Sequence, residues 1–310
     1  MINSEAAIDT FQGPMQPYPG LERRARQVQL PAGNLNLFLF DTAGESKTPV
    51  VLLHGLGDEA DTWRHVIPLI AGSCRAVAPD LPGFGRSQKG KLAYTIPFFA
   101  RTVLELLDVL SLPRVVLVGH STGAVIAQAA ALEHPERVER LVLVSGSMVT
   151  KTTRLNPGLL PFLVPGVGEW LYTRLRKDPD AAYRSLEPYY SRLADLPQAE
   201  RDFLYRRVNE RVWSDGQRGG FFATLRALGG WLAAQQKTLP ARLDGWSVPT
   251  TVVWGENDGV NPAAGAQALL ELLPSARLVI VPGAGHNVQQ ERPEAVAEAV
   301  LNPAPGAQPA

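Results

Sequence analysis

Ten residues, Val115 to Ala124, restrict this chain more than any other stretch. Val115-Val116-Leu117-Val118 is an apolar, mostly β-branched run cut off by Gly119; Ser121 and Gly123 follow, then an Ala-rich segment of helical character. Such a run reads as a buried strand, and G-x-S-x-G set between strand and helix is the context of a nucleophile elbow. The two glycines have a steric task. Without a Cβ at Gly119 or Gly123, the strand can turn sharply into the helix and leave Ser121 proud of a sheet in a strained conformation. Ser121 is the candidate nucleophile, and the chain must then supply a base and an acid.

At 310 residues and 45% apolar content, the chain can bury a large core as one domain, with room for a sizeable insertion. Thirty basic residues balance thirty acidic ones, which leaves no net charge to attract nucleic acid or an anionic membrane. The single Cys74 excludes a disulfide framework and a cysteine-based zinc site, and beside an apolar run it reads as a small buried hydrophobe. The first twenty residues hold Glu5, Asp9, Pro14, Pro17 and Pro19 and lack the apolar core of a signal peptide. No stretch approaches the roughly eighteen apolar residues that span a bilayer. A cytoplasmic protein without stable membrane insertion is expected.

The patterning sets the organisation. Arg26–Leu30 and Leu35–Phe40, around Gly33-Asn34, read as an antiparallel hairpin. Apolar strands follow at 49–55, 75–80, 115–118 and 141–144, with helical patterns at 60–70, 95–110 and from Ala124 to about Glu133. Strand and helix in alternation mean a parallel sheet covered on both faces. From Ser147 to Trp246 the rhythm breaks into helical patterns crowded with aromatic residues, among them Tyr172, Tyr189, Phe221 and Phe222. Strands resume at 250–254 and 277–281, and a helix from Pro293 to Leu301 ends the fold. The expected fold is α/β, an eight-stranded, mostly parallel, doubly wound sheet. Its core is 23–146 and 247–303, with a helical cap inserted at 147–246, a flexible arm at 1–22 and a disordered tail at 304–310.

A serine hydroxyl needs a base, and the base an orienting group. Of five histidines, His54 ends a strand in His-Gly-Leu-Gly, His65 sits in a helical pattern, His134 ends a helix, and His120 adjoins the nucleophile and points elsewhere. His286 lies in Gly283-Ala284-Gly285-His286 directly after the last strand, at the carboxyl edge where ligands gather in open α/β sheets. The acid should leave a strand between serine and histidine. Glu256 and Asp258, in Trp254-Gly255-Glu256-Asn257-Asp258-Gly259, are both available, and Asp258 is preferred.

Five motifs in order resemble those of the α/β-hydrolase fold enzymes of the cap-bearing type. His54-Gly55-Leu56-Gly57 is similar to the oxyanion loop, Asp80-Leu81-Pro82-Gly83-Phe84-Gly85-Arg86-Ser87 to the D-x-x-G-x-G-x-S turn, and Gly119-His120-Ser121-Thr122-Gly123 to the elbow. Gly255-Glu256-Asn257-Asp258 resembles the acid loop and Gly283–His286 the base loop. The resemblance implies a triad of Ser121, Asp258 and His286, with the backbone N–H groups of Leu56 and Thr122 facing the oxyanion and no cofactor or metal. Thr122 and Ala124 depart from the residues that relatives often carry, Met or Gln and Gly respectively. A serine in the elbow, in place of Asp, argues against attack on an sp³ carbon.

The implied reaction is hydrolysis of a carboxylic ester of a small to medium, largely apolar molecule through an acyl-enzyme. Cap residues would wall the pocket, and the apolar stretch Pro157–Val167 would form a lid edge or an interfacial lipase helix. Two other readings keep the same triad: hydrolysis of a C–C bond in a diketone-like substrate, and a ligand sensor that does not turn over. A dinucleotide-binding reading of Gly55-Leu56-Gly57-Asp58-Glu59-Ala60 with Asp80 meets three objections. His54 precedes the first glycine, two strands come before this unit, and Asp80 runs into Pro82-Gly83 in place of a helix.

Overall fold

The computed structural model describes residues 11–44, 48–149 and 160–302. Eight strands form one sheet in the order β1-β2-β4-β3-β5-β6-β7-β8. They are β1 (Ala25–Leu30), β2 (Leu35–Asp41), β3 (Pro49–Leu53), β4 (Arg75–Pro79), β5 (Val115–His120), β6 (Val138–Val144), β7 (Thr250–Gly255) and β8 (Arg277–Val281). β1 and β2 are antiparallel to their neighbours, and every other pairing is parallel.

The apolar runs are explained by burial on both faces. In β3, Val51 and Leu53 enter one core cluster while Val50 and Leu52 enter the other; in β5, Leu117 and Val118 divide in the same way. Helices Ile96–Val109 and Thr122–Glu133 cover the first face, and Val66–Ile70 and Pro293–Leu301 the second. Thr95 caps the helix at Ile96–Val109, its hydroxyl accepting from Phe98 N–H at 3.3 Å. The helix expected over 60–70 is two pieces, a 3₁₀ turn at Ala60–Trp63 and an α-helix at Val66–Ile70.

Between β6 and β7 the described residues contain no strand. Helices Val167–Arg174, Pro179–Arg184, Gln198–Trp213 and Asp215–Gln235 make up most of this insertion. Its last helix, Leu239–Leu243, falls inside the expected cap span, yet Leu239 and Leu243 are buried in the core cluster under the sheet. Within residues 11–22, expected as the end of a flexible arm, most side chains are exposed but three are anchored. Phe11 and Leu21 are buried, and the Tyr18 hydroxyl donates to Glu200 Oε1 at 2.6 Å. Patterning missed this because the partner lies 182 residues away. Residues 1–10, the tail at 304–310 and the start of the expected lid edge, 157–159, lie outside the described residues.

The turn from β5 into the helix Thr122–Glu133 places Ser121 at φ 53°, ψ −117°, which side chains rarely adopt. Close packing imposes it. A Cβ at Gly119 would run into the Gly123 carbonyl, and one at Gly123 into the Leu53 and His54 carbonyls. Gly146, after β6, closes the third side: a Cβ there would strike the Ser121 backbone. Gly146→Ala should therefore destabilise by about 1–3 kcal/mol, seen as a Tm lowered by roughly 2–12 °C. Gly230→Ala, in the helix Asp215–Gln235 where nothing lies within 4 Å, should leave Tm unchanged or raise it. Equal shifts of the same sign would refute the steric account.

Candidate active site

Ser121, Asp258 and His286 lie on the loops that leave the carboxyl ends of β5, β7 and β8. His286 Nδ1 lies 2.9 Å from Asp258 Oδ2, with the His286 residue 1% and the Asp258 residue 7% exposed. A carboxylate only accepts, so Nδ1 carries the proton and Nε2 is left as an acceptor. The other Asp258 oxygen accepts from Val260 N–H at 2.9 Å and Asn261 N–H at 2.8 Å. That turn geometry holds the carboxylate before any histidine is considered. Asn261 in turn donates to the Ser145 carbonyl at 2.9 Å, and Ser121 N–H donates to the Val144 carbonyl at 2.9 Å. The end of β6 thus ties the acid loop to the elbow.

Glu256, the alternative acid, is exposed and accepts from Gly283 N–H at 3.1 Å, away from the imidazole. Among the described residues no hydrogen bond joins Ser121 Oγ to His286; such contacts are often long in an empty site and tighten on a substrate. Gly55 passes directly beside the elbow, where a Cβ would sit 3.2 Å from Ser121 Cβ. This places the adjoining Leu56 next to Thr122, the first residue of its helix. Among the described residues neither N–H has a backbone acceptor.

The other histidines are occupied. His54 is fully buried, accepts from Leu81 N–H at 2.8 Å and contacts the Gly55 carbonyl at 2.8 Å. His65 faces Glu200 at 3.1 Å, and His134 faces Glu136 on the surface. His120 Nε2 lies 3.0 Å from the His286 carbonyl, so it carries a proton and braces the base loop.

Asp80 serves the fold. Its carboxylate accepts from Ala60 N–H at 2.7 Å and from Arg86 N–H and Nε at 2.6 and 2.8 Å. Burial works against its charge, but the Arg86 guanidinium prevails and keeps the carboxyl below its usual range. With Asp80 spent and no helix opening at Gly57, this loop does not form a dinucleotide cradle. Among the described residues no group of three or more His, Cys, Asp or Glu could hold a metal ion. No helix among them is long and apolar enough to cross a membrane.

Residues 48–293 match the α/β-hydrolase fold family. The chain belongs to that family. It is 30% identical over 290 residues to a 2-hydroxy-6-oxononadienedioate/2-hydroxy-6-oxononatrienedioate hydrolase of Pseudomonas putida, covering 90% of this chain and 95% of that protein. It is also 30% identical over 238 residues to the pimeloyl-[acyl-carrier protein] methyl ester esterase of Aeromonas hydrophila, covering 76% and 87%. The crystal structure of Cfl2 from Burkholderia cenocepacia superposes with a TM-score of 0.76 over 94% of this chain and 99% of that one, at 24% identity.

In this α/β-hydrolase the insertion grips the loop after β3 through charges that patterning did not reveal. Arg211, from the helix Gln198–Trp213, donates Nε to Glu59 Oε2 at 2.8 Å and pairs with Asp58. Arg207, from the same helix, lies 3.4 Å from Glu59 and 3.7 Å from Asp61. Gln217 Nε2 donates to the Gly57 carbonyl at 3.2 Å, and its Oε1 accepts from Gly85 N–H at 3.0 Å. Of the crowded aromatics, Tyr189 stands 5.8 Å from the His286 ring and Phe221 packs against Gly57. Phe222 is buried within the insertion against Phe162 and Tyr172.

Burial, reinforced by the neighbouring His286, holds His120 down at about 3. An unfolded histidine titrates near 6.5, so between about 6.5 and 3 the unfolded chain binds a proton that the folded one refuses. The stabilisation is full above about pH 6.5 and is lost as pH falls toward 3. His120→Asn keeps a donor for the His286 carbonyl without that titration. Its Tm should fall less steeply than the wild type's from about pH 6.5 to 4.5; parallel Tm–pH curves would count against a neutral buried His120.

Proposed function

We propose that this chain is a serine hydrolase that cleaves a carboxylic ester of a small to medium, largely apolar molecule through an acyl-enzyme on Ser121. The observation that carries this reading is the 2.9 Å contact between His286 Nδ1 and Asp258, beside a serine held in a strained turn. It leaves Nε2 basic on the only one of the five histidines paired with a buried aspartate in the loops around the elbow.

In this mechanism Ser121 Oγ attacks the carbonyl carbon while His286 Nε2 takes the hydroxyl proton. Asp258 keeps the imidazole in the right tautomer and balances its charge. The Leu56 and Thr122 N–H groups meet the developing oxyanion, each contributing about 2.7–4 kcal/mol of barrier reduction by analogy with measured donors. The proton passes from His286 to the departing alkoxide, and the alcohol leaves. Water then gives a proton to His286 and its oxygen to the acyl carbon, the bond to Ser121 breaks, and the proton returns to the serine. The inserted helices act as a cap, with Tyr189 and Phe221 as walls over the site.

The Pseudomonas putida relative supports a second reading, hydrolysis of a C–C bond with the same triad. That relative's named substrates are dioates, carrying two carboxylates. Here Arg207 and Arg211 are spent on Asp58, Glu59 and Asp61, Arg86 on Asp61 and Asp80, and Arg218 on Asp215. An uncharged ester makes no demand on them, which favours the ester.

A p-nitrophenyl ester series on wild type and Ser121→Ala tests the proposal. Wild type should turn over many equivalents and the variant lose at least about a thousandfold in kcat; equal rates would remove Ser121 from the mechanism, and a single slow acylation would favour a sensor. Asp258→Asn should lose activity on a similar scale of about a thousandfold or more, with the fold and Tm retained. Undiminished turnover there would return the acid's role to Glu256.

A further inference from the structure

The loop that carries His286 is held by the insertion on both sides of the histidine. Just after it, Asn287 N–H donates to the Tyr189 carbonyl at 2.9 Å. Just before it, Gly285 N–H donates to Glu291 Oε2 at 2.7 Å, and Glu291 Oε1 accepts from Ser191 N–H at 2.9 Å. Glu291 ends the short helix Val288–Glu291, so one half-buried carboxylate joins the base loop to the insertion. The two backbones touch there: a Cβ on Gly285 would strike Ser191 N and the Tyr190 main chain. The Ser191 hydroxyl also accepts from Asn257 Nδ2, in the loop that carries Asp258, at 2.9 Å.

We infer that Glu291 is a positioning residue for the base, setting where His286 stands by tying Gly285 to Ser191. The inference rests on the ester-hydrolase reading and adds a residue to its machinery. The His286 ring is directed by Asp258 and its carbonyl by His120, but the residue before it is a glycine with no side chain to lock it. Among the described residues, Glu291 is the one acceptor of the Gly285 N–H. Bonds from N–H to an ionised carboxylate are roughly twice as strong as neutral ones, and two oxygens serve two donors at once. A glutamine could accept from only one of them, and its amide N–H groups would face the other. A base displaced by about 1 Å can lose on the order of a hundredfold in rate, so this tether acts on turnover more than on binding.

The test compares wild type with Glu291→Gln and Glu291→Ala by two readouts. With p-nitrophenyl acetate, kcat should fall about tenfold in Glu291→Gln and about ten- to a hundredfold in Glu291→Ala, with KM held within about threefold. The second readout needs no turnover: the proton NMR resonance of His286 Nδ1–H, identified by its loss in His286→Ala, should shift or broaden in both variants. A contact that only stabilised the fold would lower Tm and leave that resonance in place. Where Glu291→Ala fails to fold, Glu291→Gln, which keeps the size and one acceptor, carries the test. If wild type turns over the ester, either readout unmoved in Glu291→Gln overturns the inference. If wild type does not, a moved resonance upholds the positioning role and defeats the ester-hydrolase reading, and an unmoved one overturns both.

Discussion

A serine at φ 53° does not stay there unaided; such a residue costs of order 1–3 kcal/mol, supplied by the packing around it. Here three backbones press on it. The ends of β3 and β6 and the first turn of the following helix approach so closely that Gly119, Gly123 and Gly146 cannot carry a side chain. The elbow is therefore a property of three parallel strands in register, Val118 beside Leu52 on one side and Val142 on the other. Exposing the hydroxyl requires this sheet, and the sheet's double burial requires the apolar runs. The chemistry proposed for the site rests on the same packing that makes the core.

Three histidines at this edge take three different states from their surroundings. His54 donates from one nitrogen and accepts Leu81 N–H at the other, fixing the loop after β3 to the one after β4. His120 spends its proton on the His286 carbonyl and is kept neutral by burial. His286 gives its proton to a carboxylate and keeps a free lone pair. Residue type alone does not separate them; the partner of each does.

The strands, the two faces of the sheet and the five motif loops were legible from local pattern, because double burial writes continuous apolar runs and tight turns demand glycine. Ser121, Asp258 and His286 were singled out by their place after a strand, and the structure brings Asp258 and His286 into contact. What local pattern did not reveal depends on partners far apart in sequence. Arg211 reads as a solvated face of a polar helix until Glu59, 152 residues earlier, is placed beneath it. Gly146 reads like any glycine after a strand, since the backbone that crowds it is that of the distant Ser121. The packing of Tyr18 had no local sign at all. Asp258-Gly259 marks a turn in the sequence, and in the structure the Asp258 carboxylate accepts from Val260 and Asn261 N–H within it.

The ion pairs between the insertion and the loop after β3 make the two halves of the site depend on each other. Glu59 and Asp61 are fully buried and Arg207 is 3% exposed, so removing one partner would strand a charge at a cost of about 3–5 kcal/mol. The helix Gln198–Trp213 cannot move away from residues 58–61 without that cost. Those residues follow Leu56 and Gly57 directly, and Gln217, from the next helix, holds the Gly57 carbonyl itself. Phe221, on the helix that carries Gln217, packs against Gly57 beside the same contact. The insertion and the loop after β3 are thus held by one rigid contact, and the strands need not change for the residues above them to differ.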